Sequence, residues 1–180
     1  MLVSGLPAAG KSSLSRRLST DLGLPLVCRD RLRSSLDPLA ELIPDASLGG
    51  WRVGRSLDQV INHFVHRLLD VDIGAVVDSN FNWPEQAQAV RDLIAERAPA
   101  CFEVCLWADA DVLRDRFIVR NDPPLSTDLQ PHFDKAVARP RVPVLGPPAR
   151  IVEFDTTDFA ALEEGYLGLL RELKERLAGL

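Results

Sequence analysis

Gly5-Leu6-Pro7-Ala8-Ala9-Gly10-Lys11-Ser12 is the stretch on which the reading of this chain turns. It fits G-x-x-x-x-G-K-[ST] at every fixed position, and Ser13 carries it into a helix-forming run. Each residue type has a physical reason. Gly5 and Gly10 let the backbone curl so that successive N–H groups point at one anion. A helix beginning at Lys11 adds the positive end of its dipole. Lys11 reaches the β- and γ-phosphates of a nucleoside triphosphate, and the Ser12 hydroxyl ligates magnesium. Four such fixed positions recur by chance in roughly one chain in a hundred or fewer. A dinucleotide fingerprint does not fit, because no third glycine follows Gly10 at the required spacing. The expectation is therefore ATP with Mg2+, held by Gly5, Leu6, Pro7, Ala8, Ala9, Gly10, Lys11, Ser12 and Ser13.

Working outward, Leu2-Val3-Ser4 reads as a very short strand feeding the loop, and Leu14 and Leu18 give a helix over 11–22 that Gly23 stops. A second short strand over 25–28 ends at Arg29-Asp30. Residues 31–70 read as helical but broken by Pro38, Pro44 and Gly49-Gly50, with a continuous apolar stripe from Leu57 to Leu69. Gly74-Ala75-Val76-Val77-Asp78 is a buried strand ending in a carboxylate. Pro84 opens a helix to about Arg97, 102–107 is a strand, and 110–120 a helix. Residues 121–148, rich in proline and polar side chains, read as a long mobile segment. A strand over 150–154 and an amphipathic helix over 159–177 close the chain. Strands separated by helices imply a doubly wound α/β domain, a parallel sheet of about five strands covered on both faces.

The bulk numbers bound the alternatives. A chain of 180 residues is one domain by length, here 1–180, with 31–70 as a helical substrate-binding insert and 114–148 as a lid region. The net charge of -5 disfavours broad electrostatic binding to nucleic acid. Three cysteines form neither a disulfide framework nor a CxxC metal site, which points to a reducing cytoplasm. No stretch approaches the ~18 apolar residues of a membrane span, and the N-terminus has no signal-peptide pattern; a soluble protein is expected.

With Cys28-Arg29-Asp30-Arg31-Leu32-Arg33, Val76-Val77-Asp78-Ser79-Asn80-Phe81, the run from Leu113 to Arg120 and Val152-Glu153-Phe154-Asp155-Thr156 in this order, the chain resembles the small P-loop kinases. These include chloramphenicol phosphotransferases, gluconate kinases, zeta toxins and ATP-binding kinases labelled as AAA domains. The resemblance implies an ATP-dependent kinase acting on a small-molecule hydroxyl. It implies Asp30 as the base, Arg116 and Arg120 as lid arginines closing over the phosphates, and Thr156 near the adenine. Such kinases often carry glycine where Ala8 stands.

The residues themselves leave more than one reading open. Asp30 ends the second strand beside the loop, where a carboxylate orients or deprotonates an attacking hydroxyl, or holds the metal through water; it is equally a good helix cap. Asp78 occupies a strand-end position suited to supporting magnesium or substrate. Asn80, with Asn82 behind it, is a hydrogen-bonding candidate for the acceptor. Arg33, three residues after Asp30, is a further acceptor candidate. Arg116 and Arg120 are four apart and share a helix face, with Arg114 off it. His63 and His66 lack a third metal ligand, and Trp51 reads as packing or as cavity wall. Two other functions compete: a polynucleotide 5′-hydroxyl kinase, and a nucleotide-binding regulatory module without turnover.

Overall fold

A computed structural model of the chain describes residues 1–40, 50–81, 84–97, 100–120, 129–138, 143–147, 149–158 and 162–178. Five strands, β1 (Leu2–Gly5), β2 (Leu26–Cys28), β3 (Val76–Asp78), β4 (Phe102–Trp107) and β5 (Arg150–Asp155), form one sheet in the order β2-β3-β1-β4-β5. All pairings are parallel; Val3 lies opposite Asp78 on one side and Val104 on the other. The doubly wound α/β expectation is thus met. Consecutive strands step first to one side of β1 and then to the other, so the chain reverses direction around β1. A crevice opens at the carboxyl ends of the strands at such a reversal.

The seven helices among the described residues are α1 (Lys11–Leu22), α2 (Arg29–Ala40), α3 (Gly50–Leu69), α4 (Pro84–Arg97), α5 (Ala110–Arg120), α6 (Leu129–Val137) and α7 (Leu162–Leu177). The two-residue period of a strand divides their partners between the sheet faces. Val3 and Val76 join Leu14, Leu18, Leu113 and Leu173 in the core under α1, α5 and α7. Val77, one residue on, packs instead with Leu57 and Ile61 of α3, and Leu2 with Val90 of α4. Leu18 and Leu113 are fully buried; truncating either to alanine costs about 2–5 kcal/mol.

Two sequence expectations need correction. Within 121–148, read above as one long mobile segment, Leu129–Val137 form helix α6. Its Phe133 is 2 % exposed and stacks on Phe117 of α5 with centroids 4.4 Å apart. Pro131 sits in the first turn of α6, where its missing N–H is no loss. Pro38 does not break the second helix either: α2 runs through it to Ala40, near enough to the end that few later rungs depend on it. Pro44 and Asn82 lie outside the described residues.

One buried carboxylate ties the sheet to the loop region. Glu103, fully buried in β4, accepts from the Ser4 hydroxyl and from the backbone N–H groups of Val144 (2.9 Å) and Leu145 (2.7 Å). Three donors make that burial tolerable, and Ser4 is the residue directly before Gly5.

Candidate functional site

The loop between β1 and α1 takes its shape from two glycines and one alanine. Gly5 has φ 140°, and a Cβ there would collide with the Leu106 carbonyl oxygen, so this position admits only glycine. Gly10 has φ 88° and caps α1, whose first amides Ser13 and Leu14 bond back to its carbonyl at 3.1 and 3.0 Å. Ala8 also has a left-handed φ, 63°. A side chain there is tolerated at a cost, which accounts physically for the glycine common at this position in the resembling kinases.

Above the loop is a cavity of about 360 Å³. Pro7, Ala8 and Gly10 to Ser13 form one wall, and Arg16, Asp30, Asn80 and Arg116 complete the lining. Lys11 is 8 % exposed, and its ammonium donates to the Leu6 carbonyl at 2.8 Å, across the mouth of the loop. Arg116 comes from α5. Its Nη2 donates to the Thr156 carbonyl at 2.7 Å and its Nη1 lies 3.4 Å from the Thr156 hydroxyl. That hydroxyl, buried at the end of β5, shares its proton between the carbonyls of Ala9 (3.1 Å) and Trp107 (2.9 Å). Thr156 therefore braces the loop from behind and does not line the cavity. The cationic side chains Lys11, Arg16 and Arg116 share the cavity with one carboxylate, Asp30.

The sequence candidates divide as follows. Lys11, Ser12, Ser13, Asp30, Asn80 and Arg116 meet in one cavity. Asp78 does not line it: at 4 % exposure it accepts from the Ser15 hydroxyl (3.2 Å) and the Cys28 thiol (3.4 Å), one helical turn along α1 from Ser12. Burial raises the Cys28 thiol above its ordinary value, and neighbouring Asp78 adds to the shift. Arg33 is exposed on α2 and outside the lining. Arg120 ends α5, but its side chain and that of Trp51 lie outside the described residues. Arg114 bonds Asp111 (3.2 Å) and reaches Asp134 of α6 (3.6 Å), tying the two helices.

Sequence reasoning missed two features. Arg16 is four residues after Ser12 and so on the same face of α1, a signal that was present. The second is a network at the ends of β2 and β3. Asp58 of α3 accepts from Arg29 Nε (2.9 Å) and Gln86 Nε2 (2.9 Å), and Gln86 also donates to the Ser79 hydroxyl (2.8 Å). Arg29 and Asp58 are 15 % and 14 % exposed. No sequence spacing relates these residues, because three helices and a strand end bring them together.

The donor set suits magnesium. Ser12 offers a hard oxygen in the cavity, and Mg2+ is commonly bound by one or two protein groups with phosphate and water supplying the rest; Asp78, the other expected ligand, lies buried against Ser15 and outside the lining. No helix among the described residues is long and apolar enough to cross a membrane.

Residues 1–137 match a family model described as an AAA domain. No curated protein sequence matches the chain. Among solved structures, a provisionally assigned kinase from Chloroflexus aurantiacus superposes with a TM-score of 0.80 at 22% identity, covering 99% of this chain and 96% of that one. The APS kinase of Mycobacterium tuberculosis, in complex with AMPPNP and APS, gives 0.65 at 19% identity over 96% of both chains. A gluconokinase from Sinorhizobium meliloti gives 0.56 at 22% identity over 98% and 94%. At these identities the likeness is one of fold, and the fold is that of the small P-loop kinases.

Proposed function

The chain belongs to the AAA-domain family, and on that premise we propose that it is an ATP-dependent kinase that phosphorylates a hydroxyl of a small-molecule acceptor. One observation carries the reading: a single cavity is lined by the phosphate loop with Lys11, by Arg116, and by the Asp30 carboxylate and Asn80. A module that only bound nucleotide would have no need of a carboxylate facing the phosphate end.

The acceptor oxygen attacks the γ-phosphorus, forming a new O–P bond. The bond from that phosphorus to the β,γ-bridging oxygen breaks, and its electron pair leaves with ADP. The acceptor proton passes to Asp30, which general-base catalysis requires within hydrogen-bond reach. Lys11 and Arg116 offset charge on the transferring oxygens, Arg116 in a fixed pose because Thr156 anchors one edge of its fork. Bound magnesium supplies further neutralisation of the phosphate oxygens. Ser12 is its loop ligand in this reading, and Asp78 supports that region from one turn below through Ser15. Arg120, on the same helix face as Arg116, is proposed as the second lid arginine, and Arg33 as an outer contact of the acceptor.

The test is Asp30→Asn, assayed with ATP against a panel of sugars, antibiotics and simple alcohols, product mass being the readout. ATP affinity is expected to stay within about threefold while turnover falls by about 10²–10⁴. Equal turnover removes Asp30 from the base role. Stoichiometric ATP binding with no product from any acceptor sinks the kinase reading, and salt-sensitive transfer to an oligonucleotide reassigns the acceptor.

A further inference from the structure

A second cavity, about 700 Å³, runs along the sheet between α3 and α4. Nothing in the phosphate chemistry uses it. Its volume falls within the range of small-molecule sites. Ile61, Val65 and Leu69 recur every four residues along α3 and make one wall, and Val90, Leu93 and Ile94 of α4 make the other. Leu2, Ala75 and Val77 form the floor. The stretch between these apolar walls is poorly suited to water, which needs two to four polar partners per molecule.

The cavity is not apolar throughout: Asn62, Asp72 and Arg97 also line it. Asp58, Ser79 and Gln86 line it as one hydrogen-bonded group, so their polar atoms converge at one place. That place adjoins the phosphate cavity by two short links. Ser79 is followed by Asn80, and Asp58 holds Arg29, which is followed by Asp30; Asn80 and Asp30 both line the phosphate cavity. The order is thus an apolar chamber, then a polar collar, then the carboxylate and the phosphate loop.

From this order we infer that the α3–α4 cavity receives the apolar body of the acceptor, which is an amphiphilic alcohol rather than a polyhydroxylated sugar. The assignment of the occupant as acceptor rests on the kinase reading; the chamber's affinity for an apolar body does not. Its hydroxyl end lies at the collar, within reach of Asn80 and Asp30. Asp58 and Gln86, already engaged with each other and with Arg29 and Ser79, fix the collar so that a polar head is accepted there, while hydroxyls along the body face the hydrocarbon of Ile61, Val65, Val90 and Leu93. Burying an added methylene in such a chamber multiplies affinity by about fourfold at most.

Two measurements separate the ideas. The first uses no nucleotide: methyl NMR of the folded protein titrated with 1-octanol. Shifts confined to the methyls of Ile61, Val65, Leu69, Val90 and Leu93, and lost in a folded Val65→Phe variant that narrows the chamber, are expected. Absent shifts, or shifts elsewhere, overturn the site. The second follows ATP-dependent phosphorylation of a graded series from ethanol to 1-octanol. Here kcat/KM is expected to rise about two- to fourfold per methylene, and Val65→Phe to flatten the series while ATP affinity holds. A flat series in the native protein, or faster turnover of sugars than of octanol, overturns the acceptor assignment. Octanol-dependent methyl shifts with no phosphorylated product from any acceptor leave the chamber standing and defeat the kinase reading instead.

Discussion

Arg116 reaches the phosphate loop through Thr156. The guanidinium donates to the Thr156 carbonyl at 2.7 Å, and the Thr156 hydroxyl in turn donates to the Ala9 carbonyl at 3.1 Å. An arginine on α5 and a loop that precedes α1 are thereby held in fixed relation by a residue at the end of β5.

Thr156→Val keeps the volume of this side chain and removes its hydroxyl. The Ala9 and Trp107 carbonyls lose a shared donor in a buried setting, so stability is expected to fall by about 1–2 kcal/mol in urea unfolding. ATP affinity is expected to fall as well, because the loop loses its rear support. Unchanged urea midpoint and unchanged ATP affinity together would show that the brace carries no energy.

Ala8 and Ala9 are neighbours with opposite expectations. Ala8→Gly removes a Cβ from a residue at φ 63°, and the relief of about 1 kcal/mol offsets the added freedom of the unfolded chain. The variant should melt at or above the temperature of the native protein. Ala9 is fully buried without a left-handed φ, and Ala9→Gly is expected to cost about 1 kcal/mol. Calorimetry of the pair checks the loop's backbone directly; equal losses in both would contradict it.

Asp58→Ala leaves Arg29, 15 % exposed, without its carboxylate and deprives Gln86 of an acceptor. A cost of about 1–3 kcal/mol in stability is expected. Arg29 precedes Asp30, so turnover should fall further than the stability loss explains, while ATP affinity holds. Parallel chemical denaturation and kinetics distinguish a collar that positions Asp30 from one that only supports the fold.

Cys28 should resist alkylation. Burial, and then Asp78, raise its thiol above the ordinary value of 9.0, so the reactive thiolate is scarce near neutral pH. The sign follows for stability too. The folded chain keeps this proton to higher pH than the unfolded chain, so its contribution is complete below 9.0 and is lost as pH rises through the folded value. Iodoacetamide labelling resolved by mass, compared between the folded and the urea-unfolded protein, and a pH series of unfolding above 9.0 are the measurements. Rapid labelling of Cys28 in the folded protein would contradict the buried contact with Asp78.

Local chemistry was legible because it is written in consecutive residues. The phosphate loop depends on a handful of adjacent backbone torsions, and Gly5, Gly10 and Lys11 specify them wherever the strand and helix go. Apolar periodicity likewise placed the strands and most helices, since burial of one face in each element is what forms the sheet layers. Helix α6 was hidden because Pro131 and the prolines around the helix read as breakers, whereas Phe133 gains enough from stacking on Phe117 to hold the helix in place.

What the sequence by itself determined is a loop of the phosphate-cradling pattern, set between a strand and a helix of a parallel, doubly wound sheet; the strand order that opens a crevice above it came from the fold. What only the tertiary structure decided is which side chains share that crevice. Asp30 and Asp78 look alike in sequence, each a carboxylate at or just past a strand end. Yet one opens into the cavity, while the other is drawn into the core by Ser15 and Cys28. Arg116 finds its place through Thr156, forty residues away, and Asp58 meets Arg29 only because α2 and α3 pack side by side. Backbone torsions are fixed by neighbours along the chain, but the partner of a charged side chain is fixed by whatever folding brings within hydrogen-bond reach.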